Sequence, residues 1–579
     1  MTAAWETMET LPPPDMLPAC CLSSATEAGK EESSRGDATP STHIPSGHRL
    51  ASSVDSSLES VWEPEVLSFP EHFAFGVATS ALQVEGAIRE GGRGPSIWDA
   101  DNMPSRSFAS ADASPAVACD HYHRFRDDIA IMAKLGVKAY RFSISWSRLL
   151  PTGEGEKVNP EGAKFYSDLI DALLSYGIEP WVTLYHWDLP QALEESCDGW
   201  AGPKRRIVKA FGNYARHCFR LYGDRVKRWL TINEPYCIAV YGYCAATLAP
   251  FKATNPGTEP YIVGHNLLLA HAEAVHIYRT EFAEKQNGLL GIVLSVTNHL
   301  PFDASVEADC MAAKRKRDFE CGWFADPLFR GDYPETMKQT CGNRLPAFSP
   351  TEKKKLVGSS DFLGINYYQS VYAIPGRKTG AVSDPQPPYN YVKDVAVKAK
   401  KDPSWKLTDS GWSVTPWALR DVLLEIQHLY APKHGIVVTE NGCAMESNAS
   451  KELDKHPDAS CPRPYNLKNP PKEDFDSETF QDPERAAFLQ NHVASLHSAI
   501  MGGANVTGFF VWSFLDNFEW GEGYGKRFGL VHVDYATQKR TVKASARQYA
   551  EIIRMRGLKD STYTAIELDV PSPRSTLER

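Results

Sequence analysis

The chain has 579 residues, of which 42% are hydrophobic, 23% are charged and 11% are aromatic. This is the composition of a globular protein with a large core and a high share of aromatic side chains. A formal net charge of −10 at pH 7 argues against nucleic acid or an anionic membrane as a partner. No apolar run approaches the roughly 18 to 20 residues of a membrane-spanning helix, so we expect no membrane partner.

The first 62 residues differ in composition from the rest of the chain. They are rich in Ser, Thr, Pro, Glu and Asp with little periodic apolar pattern, which predicts a disordered N-terminal extension. They lack the basic and then apolar segments of a secretory signal, and Glu6, Glu9 and Asp15 argue against a transit peptide. We therefore expect a cytoplasmic protein with one folded domain over residues 63–560 and a C-terminal tail over residues 561–579.

From Ser68 onward, strand-like runs alternate with amphipathic stretches of helical length. The strand-like runs are 73–81, 139–146, 181–186, 229–233, 290–296, 362–368, 436–439 and 508–515. The helical patterns include 123–134, 162–175, 204–222, 262–285 and 485–500. Eight strands alternating with helices predict the α/β class and a single (β/α)8 TIM barrel with long βα loops. The longest loops are predicted at 371–410 and 443–482.

Two glutamates follow strand-like runs of the same form. Glu234 comes directly after the run 229–233, and Glu440 comes directly after the run 436–439. A carboxylate at the end of a buried strand is costly unless it is used or paired. In a barrel of parallel strands, the carboxyl ends form the active site. Two carboxylates that flank one bond are what glycosidic hydrolysis requires, so the pair predicts this chemistry.

Other polar side chains end most of the remaining runs. A single polar residue at a strand end is more often a capped or hydrogen-bonded group than a functional one. Seven of the eight runs, however, end in Gln, Arg, His, Asn, Glu or Trp, and this repetition makes a functional role the better interpretation. Amide, imidazole and carboxylate groups match sugar hydroxyls, and aromatic rings suit the C–H faces of a pyranose. The pattern therefore favours a carbohydrate substrate.

A series of longer motifs runs along the predicted barrel. They are Phe75–Gly86 (FGVATSALQVEG), Tyr140–Arg148 (YRFSISWSR), Tyr185–Pro190 (YHWDLP), Thr231–Pro235 (TINEP), Gly364–Tyr368 (GINYY), Val438–Gly442 (VTENG), Trp512–Trp520 (WSFLDNFEW) and Arg527–Tyr535 (RFGLVHVDY). In sequence and in order they resemble the motifs of family-1 glycoside hydrolases, the β-glucosidase family. The resemblance covers about residues 68 to 557.

This resemblance implies a retaining β-glucosidase that hydrolyses the non-reducing terminal β-D-glucosyl residue of β-glucosides. It implies Glu234 as the general acid/base and Glu440 as the nucleophile that forms a covalent glycosyl-enzyme. The implied substrate-binding residues are Gln83, His186, Asn233, Tyr368, Trp412, Trp512, Glu519, Trp520 and Phe528. Among these, Trp412 corresponds to an aromatic platform for the aglycone. Arg141 and Asn366, together with Tyr368, are implied to support the nucleophile.

The chemistry agrees with two different roles for the glutamates. Carboxyl groups of a retaining glycosidase lie about 5 Å apart. Two unit charges at that distance repel by roughly 3 kcal/mol at an effective dielectric constant of about 20. One carboxyl therefore tends to stay protonated near neutral pH while the other is ionised. No metal and no other cofactor is needed, and the sequence shows no metal-ligand cluster.

Two alternatives to hydrolysis remain open. A transglycosidase would use the same residues and transfer the glycosyl group to an alcohol or sugar instead of water. A catalytically weak sugar-binding relative typically lacks one of the two glutamates, whereas this chain has both. The expected partner is a small-molecule β-glycoside or oligosaccharide. Glu519 and Trp520 favour unphosphorylated β-D-glucosides, with β-D-galactosides and β-D-fucosides as secondary substrates.

Overall fold

The computed structural model describes residues 66–99, 114–376, 390–445 and 480–559. The predicted extension over residues 1–62, the tail over residues 561–579 and most of the predicted loop 443–482 lie outside these ranges. Within them, eight parallel strands close into a barrel surrounded by helices, which confirms the predicted (β/α)8 TIM barrel.

The strands in the described ranges are numbered in chain order. They are β1 Val66–Ser68, β2 Ala74–Ala78, β3 Ala139–Ser143, β4 Glu179–Tyr185, β5 Arg228–Asn233, β6 Leu289–Pro301, β7 Phe362–Pro375, β8 Val397–Lys400, β9 Ile436–Asn441, β10 Val506–Trp512, β11 Val531–Val533, β12 Arg540–Val542 and β13 Gly557–Lys559. The barrel runs β2-β3-β4-β5-β6-β7-β9-β10 and closes by pairing of β10 with β2. Outside the barrel, β8 pairs antiparallel with β7, β1 with β13, and β11 with β12.

Helices lie between successive barrel strands. The longer α-helices are His121–Lys134, Pro160–Ser175, Lys204–Tyr222, Glu259–Glu281, Glu307–Arg317, Trp323–Arg330, Trp417–Tyr430, Pro483–Met501 and Ala544–Met555. The short ones are Ala81–Val84, Trp146–Leu149, Gln191–Cys197, Pro235–Cys237, Ala283–Gln286, Glu335–Cys341, Pro350–Leu356 and Tyr391–Val395. Segments Ile238–Gly242 and Asp318–Gly322 are π-helical, and Gly199–Ala201, Gly342–Arg344 and Trp520–Glu522 are 3₁₀ turns. No helix in the described part of the chain is long and apolar enough to cross a membrane.

The structure differs from the prediction mainly after β6 and β7. Both strands continue well past the predicted runs and pair with each other as far as Pro301 and Ala373. The predicted loop over 371–410 is therefore wrong in part, because β7 extends to Pro375 and then pairs with β8. Buried and partly exposed side chains are mixed along these extensions without strict alternation, so they carry neither the alternating nor the fully buried pattern that predicts a strand.

The barrel interior is apolar along most of its length and polar at its carboxyl end. One cluster takes a residue from each barrel strand: Ala78, Ala139, Trp181, Leu230, Val293, Phe362, Val437 and Phe510. Alternate residues of a strand point to the same side. Two residues beyond Ala139 and Trp181, the interior is lined by Arg141 and Thr183, which are hydrogen-bonded to each other. The carboxyl end of the barrel is thus where polar groups are buried together.

Candidate active site

Glu234 lies at the point where β5 turns into the short helix Pro235–Cys237. Its backbone is left-handed, with φ 46° and ψ 65°, and its N–H donates to the carbonyl of Val293 at 2.9 Å. A residue before proline avoids the right-handed helical conformation, and proline at the first helical position loses no hydrogen bond. Pro235 therefore favours this abrupt end of β5, which leaves the Glu234 side chain buried at the barrel mouth.

The Glu234 carboxyl is contacted by two neutral donors. Asn366 Nδ2 donates to Oε1 at 2.8 Å, and the Cys237 thiol donates to Oε2 at 3.1 Å. Burial, followed by the nearby charge of Glu440, raises the pKa of Glu234 to about 7. Burial and a like charge both disfavour the ionised form of a carboxyl. Glu234 can therefore hold a proton near neutral pH.

Glu440, on β9, is contacted by a cation and a phenol. Arg141 Nη1 donates to Oε1 at 2.5 Å, and the Tyr368 hydroxyl donates to Oε2 at 2.7 Å. Arg141 is itself fixed by further hydrogen bonds from its guanidinium to Thr183 Oγ1 and the Thr439 carbonyl. The two glutamates thus have opposite surroundings, an ion pair at Glu440 and neutral donors at Glu234.

Asn233 connects the two glutamates. Its Oδ1 accepts hydrogen bonds from Arg141 Nη2 at 2.7 Å and from Asn366 Nδ2 at 3.1 Å. Since Oδ1 is the acceptor of both, the other amide atom is the nitrogen, which lies 3.0 Å from His186 Nε2. Arg141 and Asn366, the residues that contact Glu440 and Glu234, therefore meet on one amide oxygen.

His186 is a neutral ring whose tautomer follows from Asn233. Burial, followed by the charge of Arg141, holds the pKa of His186 well below its usual value. Because Nε2 accepts from the Asn233 amide, the ring proton lies on Nδ1, a buried atom without a hydrogen-bond partner among the described residues. The ring stacks on Trp512 and Trp520, with centroid distances of 5.7 and 6.0 Å.

Gln83 and Glu519 lie next to each other in the site. Gln83 Nε2 donates to Asn517 Oδ1 and to the Phe518 carbonyl at 3.1 and 3.0 Å, and lies 3.4 Å from Glu519 Oε2. Burial, and then the charge of Glu440, raises the pKa of Glu519 to about 8. In this state Glu519 is largely neutral near pH 7, so it can donate as well as accept hydrogen bonds.

An aromatic group forms the rim of the site. Trp412 lies 5.0 Å from Tyr368 and 5.6 Å from Phe528 between ring centroids. A cavity of about 40 Å³ is lined by Thr247, Leu248, Ser410, Trp412, Glu519, Trp520, Gly521, Glu522 and Phe528. Trp412 thus shares one cavity with Glu519, next to the buried polar groups.

The structure brings all of the predicted site residues together at the carboxyl ends of the barrel strands. It also adds residues that the sequence reasoning missed. Thr439 donates to Asn366 Oδ1 at 2.7 Å, Trp187 donates to the Asn233 carbonyl at 3.0 Å, and Cys237 contacts Glu234. Thr439 and Trp187 belong to the motifs quoted above, so their positions were a usable signal. Thr247, Leu248 and Ser410 come from loops without such a signal.

The sequence matches a model of the family described as Glycosyl hydrolase family 1 over residues 66–459 and 469–558. Beta-glucosidase 4 of Oryza sativa subsp. japonica is 42% identical over 495 residues, which cover 84% of this chain and 95% of that protein. Raucaffricine-O-beta-D-glucosidase of Rauvolfia serpentina is 40% identical over 500 residues, covering 81% and 87%.

Solved structures that are similar to this chain are also those of β-glucosidases. The crystal structure of the rice Os3BGlu6 beta-glucosidase matches with a TM-score of 0.75 and 39% identity, covering 83% of this chain and 98% of that one. A mutant of the rice enzyme, in a covalent complex with Glc from GA4GE, matches equally well. The GH1 beta-glucosidase of the fungus Humicola insolens, in complex with glucose, has a TM-score of 0.75 and 37% identity, covering 84% and 98%.

Proposed function

Because the chain belongs to glycosyl hydrolase family 1, and is therefore a glycoside hydrolase, we propose that it is a retaining β-glucosidase. It removes the non-reducing terminal β-D-glucosyl residue from β-glucosides, with Glu234 as acid/base and Glu440 as nucleophile. The observation that carries the proposal is the contrast between the two buried carboxyls. Glu440 pairs with the Arg141 guanidinium, whereas Glu234 contacts neutral donors and has a raised pKa.

The first step forms a glucosyl-enzyme. A carboxylate oxygen of Glu440 attacks the anomeric carbon while the bond from that carbon to the leaving oxygen breaks. Glu234 gives its proton to the leaving oxygen, so the aglycone departs as a neutral alcohol or phenol. Arg141 and Tyr368 hold the Glu440 carboxyl in place during the attack.

The second step returns the enzyme to its starting state. Once Glu440 is esterified, its negative charge is gone, and one cause of the raised pKa of Glu234 goes with it. Glu234 is then ionised and can take a proton from water. The water oxygen attacks the anomeric carbon, the ester bond to Glu440 breaks, and glucose leaves with the β configuration retained.

Glucose recognition is assigned to the polar groups around His186. The His186 Nδ1–H, the Gln83 amide and the Glu519 carboxyl offer donors and acceptors for sugar hydroxyls. Trp512 and Trp520 supply aromatic faces for the pyranose ring. Trp412 at the rim is assigned to the aglycone side, and Phe528 is assigned with Trp520 to the wall of the glucose pocket. The covalent glucose complex of the rice mutant and the glucose complex of the Humicola insolens enzyme support a glucose site in this fold.

The test is a panel of nitrophenyl β-D-glycosides with the purified protein, followed by proton NMR of the first sugar product. We expect the highest kcat/KM on the glucoside and β-glucose as the first anomer released. An added acceptor alcohol measures how much product arises by transfer rather than hydrolysis. Release of α-glucose first, or no cleavage of any β-glycoside, would overturn the proposal.

A further inference from the structure

Cys237 is the least expected group in contact with the proposed acid/base. Its sulfur lies 3.1 Å from Glu234 Oε2, and the residue is 4% exposed. The short helix Pro235–Cys237 sets this contact, because residues three apart on a helical turn face the same side. The other oxygen, Oε1, is bound by Asn366, so each oxygen of the carboxyl has one side-chain donor.

The thiol is held as a neutral donor by its surroundings. Burial, followed by the charges of Glu234 and Glu320, raises the pKa of Cys237 well above its usual value, so the S–H is retained at working pH. The Ser295 side chain, on β6, acts on the pKa of Cys237 in the opposite direction. Ser295 is the register partner of Asn366 on β7. Neighbouring positions of two strands thus act on the two sides of Glu234, Asn366 on Oε1 directly and Ser295 on the thiol that contacts Oε2.

We propose that Cys237 is a positioning residue for the acid/base, in which the S–H bond to Oε2 sets the proton affinity of Glu234. The inference rests on the proposed role of Glu234. A thiol is a weak hydrogen-bond donor, so it orients the carboxyl without strongly favouring its ionised form. A stronger donor at this position would lower the pKa of Glu234, so that the carboxyl loses its proton at lower pH, whereas an apolar residue would raise the pKa and keep the proton to higher pH.

The other ionisable groups around Glu234 remain in place when Cys237 is changed. They are Glu440 on β9, Arg141 on β3, Tyr368 on β7 and Glu519 after β10, with Glu320 facing the thiol itself. A change in the titration of Glu234 in a Cys237 variant therefore reports the lost or altered S–H bond.

The experiment compares Cys237→Ala and Cys237→Ser with the unmodified enzyme, with Cys218→Ala as the matched control. Cys218 is also fully buried, but it lies on the helix Lys204–Tyr222 and belongs to no part of the site. The readout is the alkaline limb of kcat/KM against pH for an alkyl β-glucoside, which depends on proton donation. We expect this limb to move to higher pH in Cys237→Ala and to lower pH in Cys237→Ser, each by about half a pH unit to one pH unit. In Cys218→Ala we expect the limb to keep its position.

Loss of packing alone would change kcat or stability. It would not move the alkaline limbs of Cys237→Ala and Cys237→Ser in opposite directions. Unchanged limbs, or limbs displaced the same way in both variants, would overturn the proposal. Where the variants do not fold, the infrared S–H band of Cys237 in the unmodified enzyme is compared with that in Glu234→Gln. In the unmodified enzyme the band is expected to shift as Glu234 titrates, and in Glu234→Gln it is expected to be independent of pH. A band that is independent of pH in both proteins counts against the proposal.

Failure of the inference is separable from failure of the proposed function. Glu234→Gln tests the acid/base role with the cysteine at position 237 left in the sequence. If its losses depend on the leaving group while the Cys237 variants keep the normal alkaline limb, only the role of Cys237 is refuted. If its losses are equal for all leaving groups, the acid/base assignment itself is refuted.

Discussion

Asn366 and Tyr368 lie two residues apart on β7, and each donates a hydrogen bond to a different one of the two glutamates. Asn366 contacts Glu234 at 2.8 Å, and Tyr368 contacts Glu440 at 2.7 Å. Because alternate residues of a strand point to the same side, one short piece of backbone positions both carboxyls. The spacing of the two glutamates, the proposed acid/base and the proposed nucleophile, therefore depends on the rigidity of β7, which pairs with β6 and β9.

Tyr368→Phe removes the donor to Glu440 without changing the ring. A hydrogen bond to a charged group contributes about 1.5 to 3 kcal/mol, so kcat/KM should fall about tenfold to hundredfold. The matched control is Tyr367→Phe, whose hydroxyl contacts Thr415 away from the site. That variant should lose stability rather than activity, as measured by thermal unfolding. Full activity in Tyr368→Phe would contradict a positioning role for this phenol.

Glu440→Gly should abolish hydrolysis while the fold is kept. Added azide should then restore cleavage of glucosides with good leaving groups and yield an α-glucosyl azide, because the small anion fills the vacated space. NMR of the product identifies its configuration. Activity of this variant at the normal level in the absence of azide is incompatible with Glu440 as the nucleophile.

Glu234→Gln should separate substrates by leaving group. Alkyl glucosides need protonation of the leaving oxygen and should lose activity by a factor of about 10² or more. Dinitrophenyl glucosides should keep most of their first-step rate, and the glucosyl-enzyme should accumulate because water lacks its base. Mass spectrometry of the quenched enzyme detects this adduct.

The same residue should set the alkaline side of the pH profile. The pKa of Glu234 is raised to about 7 by burial and by the charge of Glu440, and the acid must be protonated to act. Activity on alkyl glucosides should therefore fall as pH rises through about 7, and this limb should disappear in Glu234→Gln. An unmodified enzyme whose kcat/KM stays constant far above pH 7 would falsify the assignment.

Glu519→Ser should change the choice of sugar. Glu519 lies beside Gln83 and lines the cavity with Trp520, and we propose that its carboxyl binds two sugar hydroxyls there. We expect kcat/KM for the β-D-glucoside to fall more than for the 6-deoxy β-D-fucoside, which lacks one of these hydroxyls. Glu522→Ser is the control, because Glu522 lines the same cavity in the 3₁₀ turn that follows Glu519.

The unmodified enzyme should also prefer glucosides to 6-phosphoglucosides. A phosphate brings up to about two negative charges into a site where burial and the charge of Glu440 already raise the pKa of Glu519 to about 8, so further negative charge is disfavoured there. Comparison of kcat/KM for the two nitrophenyl substrates measures this preference. Faster turnover of the phosphorylated sugar would contradict the assignment of the glycone pocket.

Deletion of residues 1–62 should leave kcat and the melting temperature almost unchanged. Their composition offers little apolar surface to pack on a barrel. Differential scanning calorimetry of the full and shortened chains measures the effect. A loss of several degrees would mean that this segment stabilises the folded domain.

The sequence by itself determined the barrel and the set of chemical groups in the site. Strand-like runs are local patterns, and residues such as Gln83, His186, Asn233 and Glu440 stand inside motifs that can be read without knowing what they contact. The weakly patterned extensions of β6 and β7 were missed, because their pairing depends on each other rather than on their own composition.

Only the tertiary structure decided which group acts on which. Arg141 and Glu440 are 299 residues apart in sequence, and their ion pair exists because the pairing of β10 with β2 closes the ring and leaves only these two strands between β3 and β9. The raised pKa values of Glu234 and Glu519 come from burial and from the charge of Glu440. The Cys237 contact depends on the left-handed turn at Glu234. The distances between side chains, their burial and the electrostatic field at each group are properties of the assembled barrel, so a local sequence pattern cannot predict them.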